Sequence, residues 1–465
     1  MTSSSTPGGP ASPEPTTTGA EPPRALVPLL DPREGLPAVT NTAEALAAAV
    51  ERLAAGTGPV AVDAERASGY KYSQRAYLVQ IRRQGAGTFL IDPIACPDLS
   101  ALAGDGPVLA GAEWVLHAAS QDLVCLAEVG MVPPARRADG TGGLFDTELG
   151  ARLGGHERVG LGPLVAEVLG LELEKGHSAS DWSTRPLPDA WLRYAALDVE
   201  VLVEVRDILE GELRTAGKLD WARQEFDAVV AAPPPKPRAE PWRRTSGLHK
   251  VRRPRQLAVV RALWESRDEL ARRRDMTPTR VLPDQAIIDT ALTLPTSTAQ
   301  LRTIPGFSGR MRSGDVPRYF DALTKARQLK ESELPRPGAA PSDGPPPVRA
   351  WADKDPAAAE RLSAAREAVA GLAEHYVLPV ENLLAPDSLR RLCWSPPVPE
   401  PDPAQVAVFL TGTGARSWQV ELTARTISEA LHKAATNAAT NAAQGLRTGR
   451  AAGGLLLGGL LPGTC

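Results

Sequence analysis

The chain has 465 residues, 43% of them apolar and 23% charged, with a net charge of −3; at roughly 150 residues per domain this is enough for about three domains. Its late apolar run, GGLLLGGLL near residue 460, is far shorter than the ~20 residues of a membrane span, so a bilayer-spanning protein is excluded and a soluble one expected. Cys96, Cys125, Cys393 and Cys465 are scattered without C-x-x-C spacing, which argues against a disulfide framework or structural zinc and suits a reducing cytoplasm.

Residues 1–24 are polar and Pro-rich, too poor in apolar side chains to bury anything, so a disordered tail is expected there. They lack the basic start and apolar segment of a signal peptide. Residues 25–230 alternate strand-like and helix-like stretches. PVAVDAE, AYLVQIR, TFLID and WVLHAA read as strands. ALAAAVERLAA, SQDLVCLAEVG, GLGPLVAEVLG and WLRYAALDVEVLVEVRDIL read as helices. Such alternation predicts a layered α/β domain, and the close succession of AYLVQIR and TFLID predicts antiparallel pairing within a mixed sheet.

A Pro-rich linker over 231–245 leads to a helical block at 246–330, and a second over 331–354 leads to another at 355–430. RDELARRRDMTPTRVLPDQAI and VAGLAEHYVLPVENLLAPDSL share Leu-Ala, a Pro, a Leu and then Pro-Asp at nearly constant spacing, which points to an internal duplication of a helical bundle. Residues 431–465 are low-complexity sequence for which no structure is expected. Charge is uneven: Lys236–Arg336 holds 22 Lys or Arg against 11 Asp or Glu. A basic module beside an acidic one points to a polyanionic partner, although an ordinary solvated basic surface would have the same composition.

Three short segments carry chemistry. In VAVDAERASGY, alternate residues of a strand share a face, so Asp63 and Glu65 project together. Two buried carboxylates need a cation, and Mg²⁺ or Mn²⁺ prefers oxygen ligands; D-x-E alone also fits a strand end with solvated acids. In WVLHAASQDLVCL, Ser120 reads as a helix N-cap that puts Asp122 in the first turn, where an acid also has purely local reasons to stand. In WLRYAALDVEVLVEV, Tyr194 and Asp198 are four apart on one helical face, and Asp198 sits among apolar residues. A metal or a backbone hydrogen bond would each satisfy it.

In combination these segments form the signature of the DEDD exonucleases with tyrosine. SASDWSTRPLPDAWLRYAALDVEVL, DAERASGYKYSQRAYLVQIRR and FDTELGARLGG further resemble the ribonuclease D family, the 246–330 block resembles the HRDC module, and 355–430 resembles a diverged second copy. The resemblance covers about residues 40–425, and the two ends depart from it. It implies an RNase H-like domain with a mixed sheet followed by all-α bundles, and a 3′→5′ exoribonuclease releasing nucleoside 5′-monophosphates. It further implies two divalent cations, Mg²⁺ or Mn²⁺, with Asp63, Glu65, Asp122 and Asp198 as ligands. Tyr194 would orient the attacking water. Expected partners are single-stranded RNA 3′ ends, precursor tRNA above all, with no membrane and a monomeric chain.

Tyr70, Tyr72, Gln74 and Arg75 follow the first motif, and Lys175, His177, Trp182 and Arg185 precede the last. All eight are candidates for nucleotide contacts, against plain packing or surface roles. His117 and Asp146 read as structural. The turn TIPGFSGRMRSG could offer backbone N–H groups to phosphate, or be an ordinary interhelical turn. The rival functions are the same hydrolysis on DNA, which only 2′-OH recognition separates, and a non-catalytic nucleic-acid-binding adaptor. The intact carboxylates and tyrosine weigh against the adaptor.

Overall fold

The computed structural model describes residues 25–454, apart from 107, 110, 175, 235, 309, 310, 313 and 339–343 and the side chains of 438, 439 and 441–454. The tail expected at 1–24 lies outside the described residues. The first block runs β1 (Val27–Leu29), β2 (Val39–Thr40), α1 (Ala43–Ala55), β3 (Thr57–Arg66), β4 (Ala76–Gln84), β5 (Gly87–Ile91), β6 (Trp114–Leu116) and α2 (Leu123–Glu128). It continues with β7 (Leu144–Asp146), α3 (Thr147–Gly154), α4 (Leu161–Leu169), β8 (Leu171–Leu173), α5 (Asp189–Glu200), α6 (Leu202–Thr215) and α7 (Leu219–Ala231).

Six strands form one sheet in the order β2-β5-β4-β3-β6-β7. β4 pairs antiparallel with both β3 and β5, while β6 runs parallel to β3 and to β7. The mixed sheet expected from the sequence is therefore present. β3 is central, and Val60, Ala61, Val62 and Ala64 are all buried, as in strands covered on both faces. The β4–β5 hairpin turns through Gly85 and Gly87, both at positive φ, which glycine adopts without a Cβ penalty. α5 packs across β3, β4 and β5. The single helix expected over 191–209 is instead two, because Val201 (φ −109°, ψ −5°) turns the chain between α5 and α6. That break lets α5 follow the sheet while α6 packs on β3 and β6.

The second block contains α8 (Pro254–Arg274), α9 (Pro278–Val281), α10 (Asp284–Thr293), α11 (Thr298–Arg302) and α12 (Asp315–Gln328). The third contains α13 (Trp351–Lys354), α14 (Pro356–His375), α15 (Val380–Leu383), α16 (Pro386–Trp394), α17 (Pro403–Gly412) and α18 (Ser417–Gly454). From α8 and from α14 onward the two blocks repeat one order: a long helix, a single turn, a medium helix, a further helix and a closing helix. In each, the long helix packs on the third and the fifth member.

Two expectations about the ends of these blocks are corrected. Trp242 and Trp351, assigned to linkers, are buried members of the adjoining cores, and the Trp351 ring packs at a tilt against Trp394, centroids 4.9 Å apart. The region from 431, expected to lack structure, continues α18 to Gly454, with Leu431 and Ala434 buried. These side chains are small or apolar, and tertiary contact replaces the missing local signal. Among the described residues no helix is long and apolar enough to cross a membrane.

The third block shares one continuous core with the first, whereas the second has its own. Trp418 stacks on Trp221 (centroids 5.1 Å, planes 12° apart) and donates through Nε1 to Glu225 at 3.0 Å. Arg416 pairs with the same carboxylate at 2.6 Å.

Candidate active site

β3 carries Asp63 and Glu65 to one face of the sheet, and α5 lays Asp198 over that face. One ligand oxygen from each of the three lies within 4.8 Å of the others. Tyr194, one turn earlier on α5, lines the same cavity as Asp198. Asp122 approaches from the β6–α2 junction. It is itself the N-cap of α2, while Ser120, expected in that place, lies in a short 3₁₀ turn over Ala119–Gln121. The Asp122 side chain makes no cap hydrogen bond; it lies 3.7 Å from Arg66.

Burial raises the pKa of all four acids, and repulsion from neighbouring acids adds to it at Glu65, Asp122 and Asp198. Glu65 is pushed up to about 10 by burial, then by Asp63, Asp198 and Asp122. Asp122 is pushed up to about 8 by burial and by Asp63. Asp63 is raised by burial, against a backbone hydrogen bond and Arg66; Asp198 is raised well above the ordinary range by burial and Asp63. Burial and the nearby acids also raise the Tyr194 phenol, so it stays a donor. Without further positive charge these carboxylates are partly protonated at neutral pH. A divalent cation removes that penalty, and an all-oxygen donor set suits a hard ion. Asp63, Glu65 and Asp198 could hold such an ion, and Asp122 lines the same cavity.

The acids line a cavity of about 770 Å³. Its other walls include Arg66 at the end of β3, Ser68 and Gly69 after it, Leu161 and Pro163 of α4, and Ser178 and Ser180 before α5. Of these, Arg66 was within reach of sequence reading, being next to Glu65; the remainder come together only by folding. His117 also lines the cavity, but burial lowers its pKa to about 4 and its Nδ1 pairs with Thr147 Oγ1 at 2.9 Å. Asp146 caps α3 and accepts from the N–H groups of Ala118 and Ala119 at 3.0 and 2.8 Å, holding the turn that presents Asp122.

Most of the expected substrate contacts are elsewhere. Tyr70 and Tyr72 are engaged by the second block: Arg280 lies 4.0 Å over the Tyr70 ring, and Tyr72 donates to Asp268 at 3.1 Å. Gln74 ties its own loop, accepting from Ser68 Oγ at 3.0 Å, and Arg75 stacks on Tyr77. Trp182 is fully buried. Arg185 is held by Asp92 at 2.7 Å and by the Tyr77 carbonyl. Each of these six has a partner within the fold, although Gln74 and Arg75 stay exposed. His177 stays near the site, 5.8 Å edge-on from the Tyr194 ring. Lys175 lies outside the described residues, as do 309, 310 and 313 of the glycine-rich turn, whose Ile304 and Phe307 are core.

Residues 37–214 match the family model for a 3′–5′ exonuclease, 256–327 the HRDC domain, and 344–431 a 3′ to 5′ exonuclease C-terminal domain. The third block thus matches a model of its own. The chain is 33% identical to ribonuclease D of Acidiphilium cryptum over 320 residues, covering 67% of this chain and 78% of that one. It is 34% identical to ribonuclease D of Gluconacetobacter diazotrophicus, covering 64% and 74%. Among solved structures it resembles a protein from Bifidobacterium adolescentis (38% identity, TM-score 0.78, 88% of this chain and all of that one). It also resembles Escherichia coli RNase D (25% identity, TM-score 0.59, 86% and 98%).

Proposed function

The chain belongs to the ribonuclease D family and is a 3′→5′ exoribonuclease, and from that premise we propose that it trims single-stranded 3′ tails of structured RNAs, precursor tRNA foremost. We assign the metal ligands as Asp63, Glu65, Asp122 and Asp198, holding two ions, Mg²⁺ or Mn²⁺. The observation that carries this reading is the meeting of three carboxylates, Asp63, Glu65 and Asp198, from β3 and α5 within 4.8 Å, in a cavity that Tyr194 also lines.

Bound ions supply a water of lowered pKa and charge stabilisation at the leaving 3′ oxygen. The chain's own residues do the rest. Tyr194, one turn before Asp198 on α5 and lining the same cavity, would orient the attacking water through its hydroxyl. Because that phenol resists ionisation, it acts by positioning rather than as a base. Arg66 offsets part of the negative charge that phosphate meets at the entrance.

The Escherichia coli enzyme is an exoribonuclease involved in structured RNA processing. A cavity of about 770 Å³ here suits a terminal nucleotide or two rather than a duplex, so digestion would stop near a paired stem. The free thiols of Cys96, Cys125 and Cys393 support a cytoplasmic setting.

The test follows 5′-labelled single-stranded RNA and matched DNA with Mg²⁺, Mn²⁺ or EDTA, comparing the parent with Asp198→Ala. A metal-dependent RNA ladder, lost in the variant and weak on DNA, supports the reading. An equal ladder on DNA moves the substrate class, and tight RNA binding without any ladder makes the chain an adaptor.

A further inference from the structure

The segment leaving β3 serves two structures at once. Ser68 and Gly69 are part of the cavity wall. The residues that follow are fastened to the corner between α8 and α9 of the HRDC block. Arg280 donates through Nε to the Gly69 carbonyl at 3.1 Å while stacking on Tyr70, and the Thr277 N–H donates to the Tyr70 carbonyl at 3.0 Å. Arg272 lies over the Tyr72 ring and donates to its hydroxyl at 3.2 Å. Asp275 closes α8 in a left-handed conformation (φ 46°), accepting the Ser73 N–H at 2.9 Å and the Tyr77 hydroxyl at 3.4 Å.

The loop's internal ties are few: the N–H groups of Tyr70 and Lys71 donate to the Ala67 carbonyl, and Gln74 bridges Ser68 to the Tyr72 carbonyl. The HRDC core is separate from that of the exonuclease domain. This polar corner is therefore where the HRDC block can act on the cavity. A loop held mainly from outside takes its conformation from what holds it, and active-site groups tolerate little displacement.

We propose that the α8–α9 corner positions the active-site wall, with Asp275 and Arg280 as positioning residues, so that the HRDC block governs turnover itself and not only the hold on RNA. The proposal rests on the exoribonuclease reading and deepens it.

Asp275 gives a clean separation of the two roles. Asp275→Gly removes the acceptor while relieving the left-handed backbone, so the fold is spared. It also removes a negative charge, which would tighten RNA binding if the corner were only an electrostatic grip. Asp275→Asn makes the same charge change but keeps an acceptor for the Ser73 N–H and tolerates the left-handed conformation.

The measurement is steady-state cleavage of a trinucleotide, which offers only two phosphodiesters to a basic surface, and of a long single-stranded RNA, together with hydrogen exchange of the 68–77 amides. With Asp275→Gly, kcat on the trinucleotide falls about tenfold with little change in KM. The loop amides exchange faster, and Asp275→Asn recovers most of both. Parent-like kcat on the trinucleotide together with unchanged exchange overturns the proposal, even if KM on long RNA shifts. A parent that cleaves neither RNA removes the exoribonuclease reading, and the exchange arm still decides whether the corner holds the wall.

Discussion

Glu65 and its neighbours concentrate negative charge where water is scarce, and the consequence for stability has a definite sign. A carboxylate whose folded pKa is raised keeps its proton in the native state after the unfolded chain has released it. Stability then falls as pH climbs from the ordinary carboxylate range near 4 to the folded value. With Glu65 at about 10 and Asp122 at about 8, the metal-free protein should lose Tm steadily between pH 6 and 9 in EDTA. Glu65→Gln, which cannot ionise, should flatten that slope, and a parent Tm independent of pH would contradict the charge assignment. A divalent ion takes the place of the protons, so the gain in Tm on adding Mg²⁺ should be larger at pH 9 than at pH 6. Calorimetric titrations in buffers of different ionisation enthalpy should show protons released on binding. Tyr194→Phe removes the hydroxyl that orients water but no metal ligand. It should lower kcat about 10²-fold and leave KM and Mg²⁺ affinity near the parent's, whereas a loss of Mg²⁺ affinity would make the tyrosine part of the metal site.

At the scale of elements, α18 decides how the third block is held. Its Trp418 is buried, stacks on Trp221 of α7 and donates to Glu225, so replacing it leaves both a cavity and a half-satisfied buried carboxylate. Trp418→Ala should cost about 3–5 kcal/mol in urea unfolding. Leu431→Ala, in the stretch of α18 that the sequence does not mark as folded, should cost about 2–5 kcal/mol; a loss under half a kcal/mol at Leu431 would mean that the end of α18 is not part of the core.

These elements also show what was legible in the sequence. Asp63 and Glu65 on a strand, and Tyr194 and Asp198 on a helix, are spacings within one element, and local periodicity displays them. The break at Val201 obeys packing on the sheet rather than any local signal. Tyr70 and Tyr72 look like exposed aromatics after a motif, yet the partner of Tyr72 is Asp268, 196 residues away. The helix beyond 431 was hidden because Ala, Thr and Asn carry little periodic contrast, and among the described residues it is Leu431 and Ala434 that are buried there.

For the whole molecule, the arrangement of cores matters more than the order of domains along the chain. The exonuclease domain and the C-terminal block, separated in sequence by the HRDC module, share one apolar core through Trp221, Trp418 and their neighbours. The HRDC module between them has its own core around Leu263, Ile287, Phe307 and Tyr319, and meets the rest through hydrogen bonds and cation–π contacts. Contacts of that kind couple domains weakly compared with a shared apolar core. Unfolding should therefore proceed in two calorimetric transitions, with the first and third blocks melting together and the second alone, rather than in three. Leu263→Ala should lower one transition and leave the other in place. Leu164→Ala in the exonuclease core should lower the other, and the near-ultraviolet signal of Trp418 should move with it although that residue lies in a different block. If Leu164→Ala shifts only the exonuclease domain while Trp418 melts at its parent temperature, the shared core is not a cooperative unit, and the C-terminal block is an independent third domain.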